Sequence, residues 1–148
     1  MSLNNYTLPG INPILASRLS ITNLSIASVQ PPVAVTLTVS DILHGLVTSV
    51  DGARAAILVL NLPTAAILIG SQALNGVQEG NTFPLIIRNQ DATHTVDLTA
   101  SAGNTIDPAG GGVVATATNR SFLIRIDDVT PGSENYTVFD VTDTGAQI

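Results

Sequence analysis

The chain has 148 residues, of which 45% are hydrophobic and only 11% are charged, and its formal net charge is −6 at pH 7. This length supports one domain with its own core, and the charged fraction lies well below the roughly 25% of an average globular domain. All five basic residues are arginines scattered along the chain, which excludes the basic patch of a nucleic-acid-binding protein. We therefore expect no nucleic acid partner, and we expect surface that is buried against neighbouring subunits.

The absence of cysteine removes disulfides, thiolate chemistry and cysteine-based metal sites. The most apolar stretch, residues 53–70, contains Arg54, Asn61 and Pro63, so it does not predict a membrane-spanning helix. The first residues have no basic region followed by a compact apolar one, so we expect no signal peptide. These features predict no membrane as a partner.

Residues 1–33 differ from the rest of the chain. Pro9, Gly10 and Pro13 interrupt any regular element, yet the segment is apolar rather than charged, which is unusual for a disordered tail. We predict an extended N-terminal arm that folds against a partner, with an N-terminal strand of the same domain as the alternative. The predicted partner-contact residues of the arm are Leu3, Tyr6, Leu8, Ile11, Ile14, Leu15 and Arg18.

Residues 34–148 are predicted to form one β-sandwich domain. A period-two alternation of apolar residues with Thr and Ser predicts a strand that continues to Ser40, and Leu46–Val50 predicts a second one. The continuous apolar run Ala55–Leu60 predicts a strand buried on both faces. Pro63–Leu74 predicts the single helix, because proline suits the first helical position.

The second half of the domain is a series of hairpin-like segments separated by turns. The predicted strands are Thr82–Asn89, Thr95–Ala100, Val113–Thr118, Ser121–Asp127 and Tyr136–Val141, with a glycine-rich loop over Ala102–Gly112. Alternation predicts inward side chains for Phe83, Leu85, Ile87, Val96, Leu98, Phe122, Ile124 and Ile126. We therefore predict an all-β fold, a jelly-roll-like sandwich or barrel of about eight strands with one short helix and the extended arm.

Several of these segments resemble a β module that recurs in virion surface proteins of tailed phages and large DNA viruses. The resemblance is carried by Asp41–Thr48, Leu62–Ala66, Glu79–Asn89, Thr95–Ala100, Arg120–Ile126 and Thr130–Phe139. It implies a capsid decoration (cement) protein, expected as a homotrimer, whose arm clamps the major capsid protein. It also implies a location on the capsid surface after synthesis in the host cytoplasm.

No residue pattern predicts catalysis, a metal or a cofactor. His44 and His94 are isolated, and neither has the converging base, nucleophile and orienting group of an active site. The acids Asp127 and Asp128, with Glu134 and Asp140 nearby in sequence, match no calcium loop and predict a solvated turn. We expect a non-enzymatic protein without a cofactor.

Two outward arginines, Arg88 and Arg125, leave a choice open. Each could pair across strands with an acid of its own chain, such as Asp97 or Asp127, or form a salt bridge to another subunit. The function is open in the same way. A receptor- or glycan-binding module of a fibre or spike, an enzyme on a jelly roll, and a filament subunit that donates its arm to a neighbour's sheet are the alternatives.

Overall fold

A computed structural model of the chain describes residues 22–24, 33–49 and 55–142. The strands, in chain order, are β1 Thr22–Leu24, β2 Val33–Thr36, β3 Leu46–Ser49, β4 Leu58–Asn61, β5 Thr82–Asn89, β6 Val96–Thr99, β7 Asn104–Asp107, β8 Val113–Val114, β9 Asn119–Asp128 and β10 Asn135–Asp140. The helices are α1 Val39–His44, α2 Ala65–Ile69 and a 3-10 helix Gln72–Leu74. The all-β prediction is confirmed.

The strands form two sheets. The large sheet has the order β1-β3-β5-β9-β10-β7, and the small sheet has the order β2-β4-β6-β8. From β1 to β8 the chain alternates between the sheets. Strands β1, β3 and β5 are parallel neighbours in the large sheet, as β2, β4 and β6 are in the small one. The first half of the chain therefore winds as a superhelix that adds one strand to each sheet per turn. Each connection between two parallel strands of one sheet contains a strand of the other sheet.

The jelly-roll part of the prediction is not confirmed. A jelly roll is made of antiparallel Greek keys. Among the strand pairs of the described residues, five are parallel and only three, β5–β9, β9–β10 and β6–β8, are antiparallel. Alternation of residue type predicts which positions are buried, but it carries no information about which strand lies beside which.

One hydrophobic core lies between the two sheets. Strand β5 alternates strictly between exposed and buried positions, and every second residue of β9 from Phe122 to Ile126 is at most 1% exposed. The eight inward side chains predicted from the sequence are all buried. Each such side chain stabilises the fold by roughly 1.5–3 kcal/mol through burial.

The prediction of a strand up to Ser40 is wrong beyond Thr36. Thr38 is the N-cap of α1: its hydroxyl accepts a hydrogen bond from the Asp41 backbone N–H at 3.1 Å, and Asp41 Oδ2 accepts one from the Thr38 backbone N–H at 2.8 Å. This reciprocal capping box overrides the alternation. Gly45, with a φ of 77°, ends the helix.

The prediction for residues 55–74 is also corrected. Strand β4 begins at Leu58 rather than at Ala55, and its outward residues are only half-buried, so it is not buried on both faces. The predicted single helix is two short pieces. Thr64 caps the first piece, placing Pro63 before the N-cap, and Gly70 ends it. Counting α1, the helix prediction was incomplete.

The glycine-rich segment Ala102–Gly112 is not only a loop, because it contains β7, which pairs in parallel with β10. In contrast, the predicted strand Val113–Thr118 is reduced to the two residues of β8. Gly112 allows β8 to approach β6: a Cβ there would lie 2.2 Å from the Leu98 carbonyl oxygen. The remaining predicted strands of this half are confirmed, with bounds that differ by a few residues.

The predicted arm lies mostly outside the described residues. Within it, β1 pairs in parallel with β3, as the alternative of an N-terminal strand on the same domain requires for that short segment. The partner-contact residues Leu3, Tyr6, Leu8, Ile11, Ile14, Leu15 and Arg18 all lie outside the described residues, and their role stays a prediction. In the described ranges, no helix is long and apolar enough to cross a membrane.

Candidate interaction surface

The outer face of the large sheet carries a contiguous group of apolar side chains. The strand register places Leu46 beside Ile86, Pro84 beside Leu123, and Leu123 beside Phe139. Val141 joins this group because its backbone N–H donates to the Ser121 carbonyl at 3.0 Å. Ile86 is 36% exposed and Val141 is 46% exposed. We call Leu46, Pro84, Ile86, Leu123, Phe139 and Val141 the apolar patch.

The apolar patch exists because each of its strands carries one or two apolar side chains at outward positions. In β5, Pro84 and Ile86 alternate with the buried Phe83, Leu85 and Ile87. Pro84 is tolerated inside a sheet because β3 begins opposite Ile86, so its missing N–H points past the end of β3. A contiguous apolar surface on a rigid sheet is typical of a protein–protein contact.

At one border of the apolar patch, the charged side chains are paired with each other within the chain. Arg125 Nε donates to Asp127 Oδ1 at 2.6 Å, and the Thr137 hydroxyl donates to Asp127 Oδ2 at 2.6 Å. This carboxylate holds the Arg125 guanidinium 4.8 Å above the centre of the Phe139 ring, a cation–π contact. Arg125 thus pairs with Asp127, one of the acids predicted for it, but along the same strand rather than across strands as predicted.

Two charged side chains at other corners of the apolar patch have no such ion pair among the described residues. Arg88 extends outward from the end of β5, and Asp107 extends outward from the end of β7 beside Phe139. Both side chains are exposed, and neither has an ion-pair partner among the residues that the structure describes. Within the described residues, neither Asp97 nor Asp127 pairs with Arg88, so the intrachain pairing predicted for Arg88 is not seen.

A groove of about 730 Å³ lies beside Arg88. Its walls are Leu46 and Ile86 from the apolar patch, together with polar residues of the β5 end and the β9 start. The other wall is the turn before β9, where Ala117 has a φ of 52°. The groove is therefore a concave extension of the apolar patch at its Arg88 corner.

A buried hydrogen-bond cluster closes the inner side of this groove. The Asn89 side-chain NH₂ donates to the carbonyls of His94 at 2.8 Å and Ala115 at 3.0 Å, and its Oδ1 accepts from the Asp91 N–H at 3.1 Å. Asp91 is fully buried, and its Oδ1 accepts from the backbone N–H groups of Thr93 and His94. The cluster fixes the end of β5 to the segment after β8, and thereby one sheet to the other.

A second buried cluster lies at the opposite side of the core, around the Pro63 carbonyl. The Tyr136 hydroxyl donates to this oxygen at 2.6 Å, and the Asn104 side-chain NH₂ donates to it at 3.0 Å. Tyr136 is fully buried, and this burial raises the pKa of its hydroxyl well above the ordinary value of 10. The cluster ties β10 and β7 to the segment before α2.

The residues considered for chemistry are engaged with near neighbours. His44 Nε2 lies 3.3 Å from the Ser40 hydroxyl, and His94 Nδ1 lies 2.7 Å from the Thr93 hydroxyl. No group of three or more His, Asp or Glu side chains that could hold a metal occurs within the described part of the chain. The histidines lie on different elements, so the structure does not bring them together.

The four acids considered for calcium each accept other hydrogen bonds. Asp128 Oδ1 accepts from the Thr130 N–H at 2.8 Å, which lowers the pKa of Asp128. Burial raises the pKa of Asp140, but its bonds to Arg120 and Thr142 outweigh burial and lower it overall. Glu134 accepts from the Gly132 N–H at 2.9 Å. This arrangement is typical of turn and strand-end stabilisation.

Comparisons with known proteins return no match: no family model, no curated protein and no solved structure matches the chain. The resemblance to virion surface modules therefore stays a prediction. The apolar patch was missed by the sequence analysis, although its signal was present. Pro84, Ile86 and Leu123 occupy outward positions of strands whose inward positions were predicted correctly, whereas Phe139 lies on β10, for which the sequence analysis assigned no inward positions.

Proposed function

We propose that the chain is a non-enzymatic structural protein that acts through protein–protein contacts as one copy in a symmetric assembly. The observation that carries this proposal is the apolar patch. Six apolar side chains form a continuous surface across four neighbouring strands of the large sheet, and these strands also form the core. Such a surface is rigid, so it can be buried against a partner without an ordering cost in its backbone.

The polar side chains support a structural role. The buried polar residues Asn89, Asp91 and Asn104 hydrogen-bond to backbone groups that hold the two sheets together. The groove beside Arg88 is lined by three amide side chains, one hydroxyl and several apolar side chains, and Arg88 is the only titratable residue among its described lining residues. A general acid–base pair requires two groups within hydrogen-bonding reach of the same reacting atom.

The assembly we propose is a virus particle, and the form is a capsid decoration (cement) protein. This part rests on the resemblance of the β segments. In the proposed particle, the β domain and the arm residues from Leu3 to Arg18 bind the major capsid protein. The protein is then a homotrimer on the capsid surface. The low charged fraction supports burial between subunits. The domain is similar to a jelly roll in having two packed sheets, and it is jelly-roll-like in that sense alone.

The alternative of a glycan-binding module is less well supported. Sugar sites commonly use exposed aromatic rings, but Phe83, Phe122 and Tyr136 are buried in the core. The ring of Phe139 is covered on one side by Arg125. No fully exposed aromatic side chain remains within the described residues.

The test is the location and copy number of the protein in particles. Antibody against the purified full-length protein is applied to particles isolated from cells that express the gene, and quantitative mass spectrometry counts copies relative to the major shell protein. We expect regular surface labelling and a fixed stoichiometric ratio. Recovery of the protein only outside particles would contradict the proposal.

A full-length variant with Leu8, Ile11 and Leu15 changed to Ser tests the arm separately. We expect it to fold and to be lost from particles. A matched variant that changes Thr7, Asn12 and Ser17 to Ala controls for substitution in the same segment. Normal incorporation of the Ser variant would contradict the proposed role of the arm.

A further inference from the structure

Arg88 and Asp107, the two charged residues without an ion pair among the described residues, lie at opposite corners of the apolar patch. Arg88 and Asp107 are separated by three strand spacings and four residue steps in the register, which is about 20 Å for ideal sheet dimensions. The midpoint between them falls beside Ser121 and Val141, inside the patch. The two side chains are too far apart to pair within one copy.

From this placement we infer that the occupant of the apolar patch is a second copy of the same chain, bound face to face across a two-fold axis through the patch. A two-fold contact is isologous, so each contact between two different residues occurs twice. An axis midway between Arg88 and Asp107 brings Arg88 of each copy to Asp107 of the other. One rotation therefore forms two ion pairs, each between Arg88 of one copy and Asp107 of the other.

The same rotation is also favourable for the apolar side chains. On ideal sheet spacing, it places Ile86 of one copy over Leu123 and Phe139 of the other. The axis is diagonal to the strands, so the strands of the two copies cross at close to a right angle, one of the two common ways in which sheets stack. The patch is thus self-complementary in hydrophobicity as well as in charge.

The shapes of the two corners agree with this arrangement. Arg88 borders the groove of about 730 Å³, whereas Asp107 begins a turn in which Pro108, Ala109 and Gly110 are all exposed. The rotation directs this turn of one copy toward the groove of the other. A concave corner therefore meets an exposed turn twice in the same dimer.

The available area predicts a reversible dimer. The outer face from β3 to β7 covers roughly 500 Å² for five strands about 4.8 Å apart and about 26 Å long. Stable interfaces bury about 800 Å² per partner, so this contact lies toward the weak end. A homotrimer would need a different surface, and both contacts together would give a hexamer.

Charge exchange in the full-length protein tests the inference. Self-association is measured by sedimentation equilibrium for the wild type, Arg88→Glu, Asp107→Arg and the double variant, with melting temperature as the folding control. Each single variant opposes like charges twice, and we expect it to weaken dimerisation about tenfold or more. The double variant restores opposite charges, and we expect an affinity within about threefold of the wild type.

Glu79→Arg provides the matched control, because it makes the same charge change as Asp107→Arg at an exposed turn outside the patch. We expect it to leave dimerisation unchanged. A wild type that stays monomeric, single variants that associate normally, or a double variant that stays as weak as the singles would each overturn the inference. The last result, with a wild type that self-associates, would assign the patch to another occupant, such as the N-terminal segment.

This inference rests on the proposed function only in treating the apolar patch as a contact surface. The two fail separately. Loss of the charge-exchange effect with normal labelling of particles would remove the two-fold contact and leave the structural role. A restored dimer in the double variant, with no protein in particles, would remove the proposed role in a virion and leave the two-fold contact.

Discussion

Both faces of strands β5, β9 and β10 carry apolar side chains, but the inner face carries more of them and the two faces differ in what covers them. On the inner face, Phe122 and Ile124 are buried by the small sheet and the helices. On the outer face, Leu123 lies between Pro84 and Phe139 and remains half-buried. Residues 123 and 124 are neighbours in sequence and similar in chemistry. Residue type alone therefore does not distinguish core from contact surface. The two faces differ because the small sheet and the helices cover only the inner one.

The largest expected effect separates these two neighbours. Ile124→Ala removes a side chain with 0% exposure and leaves a cavity, so we expect it to lower the free energy of unfolding by about 2–5 kcal/mol. Leu123→Ala removes half-buried surface, and we expect a loss of less than about 1 kcal/mol for the monomer. Urea unfolding at low protein concentration measures both values. Equal losses would show that the outer face is already covered within one copy.

A second expected effect compares two asparagines at the same end of the large sheet. Asn89→Ala leaves the carbonyls of His94 and Ala115 and the N–H of Asp91 without this partner inside the protein. We expect a loss of about 1–3 kcal/mol. The control is Asn119→Ala, which changes an exposed residue on the outer face and should alter stability by about 0.5 kcal/mol or less. Similar urea midpoints for the two variants would contradict the structural role of the Asn89 cluster.

The smallest expected effect at neutral pH is that of Tyr136→Phe, about 1 kcal/mol, because the Pro63 carbonyl keeps the Asn104 donor. Its pH dependence is more informative. The folded-state pKa of Tyr136 is raised, so the folded state holds its proton longer than the unfolded state. Its stabilising contribution is therefore complete below the unfolded pKa of about 10 and is lost above it, at up to about 1.4 kcal/mol per pH unit.

The sequence makes this alkaline range simple to interpret, because it contains neither lysine nor cysteine and only two tyrosines. A Tyr6→Phe variant leaves Tyr136 as the single tyrosine, and its ionisation can be followed by ultraviolet absorbance. We expect tyrosinate to form only together with unfolding, and the additional Tyr136→Phe change to flatten the decline in stability above pH 10. Ionisation at an ordinary pKa in the folded protein would contradict the burial of Tyr136.

Much of the inner face could be predicted from the sequence, and most of the outer face could not. Strict alternation in β5 and β9 fixed the inward positions of Phe83 and Ile124. Strand order could not be predicted in this way, because parallel pairs such as β3–β5 join segments that are far apart in sequence. The position of α1 was readable from the capping box of Thr38 and Asp41, but alternation around it predicted a strand.

The alternation indicated outward positions of the apolar patch on β5 and β9, but not which of its residues lie side by side. The six residues of the patch come from β3, β5, β9 and the end of β10, and only the register of the large sheet makes them neighbours. Arg125 illustrates the same limit, because its outward direction was predicted, whereas its position above Phe139 depends on the pairing of β9 with β10. The corner positions of Arg88 and Asp107 likewise follow from strand order.

The decisive measurement for the outer face of the large sheet as a contact surface is the solution mass of the full-length protein. It is measured by light scattering over a range of concentrations, beside the Leu123→Ser variant. We predict that the mass of the wild type rises with concentration, whereas folded Leu123→Ser shows a much smaller rise because it lacks the contact through this face. A wild type whose mass does not rise with concentration, or a Leu123→Ser variant that associates as the wild type does, would contradict this role of the outer face.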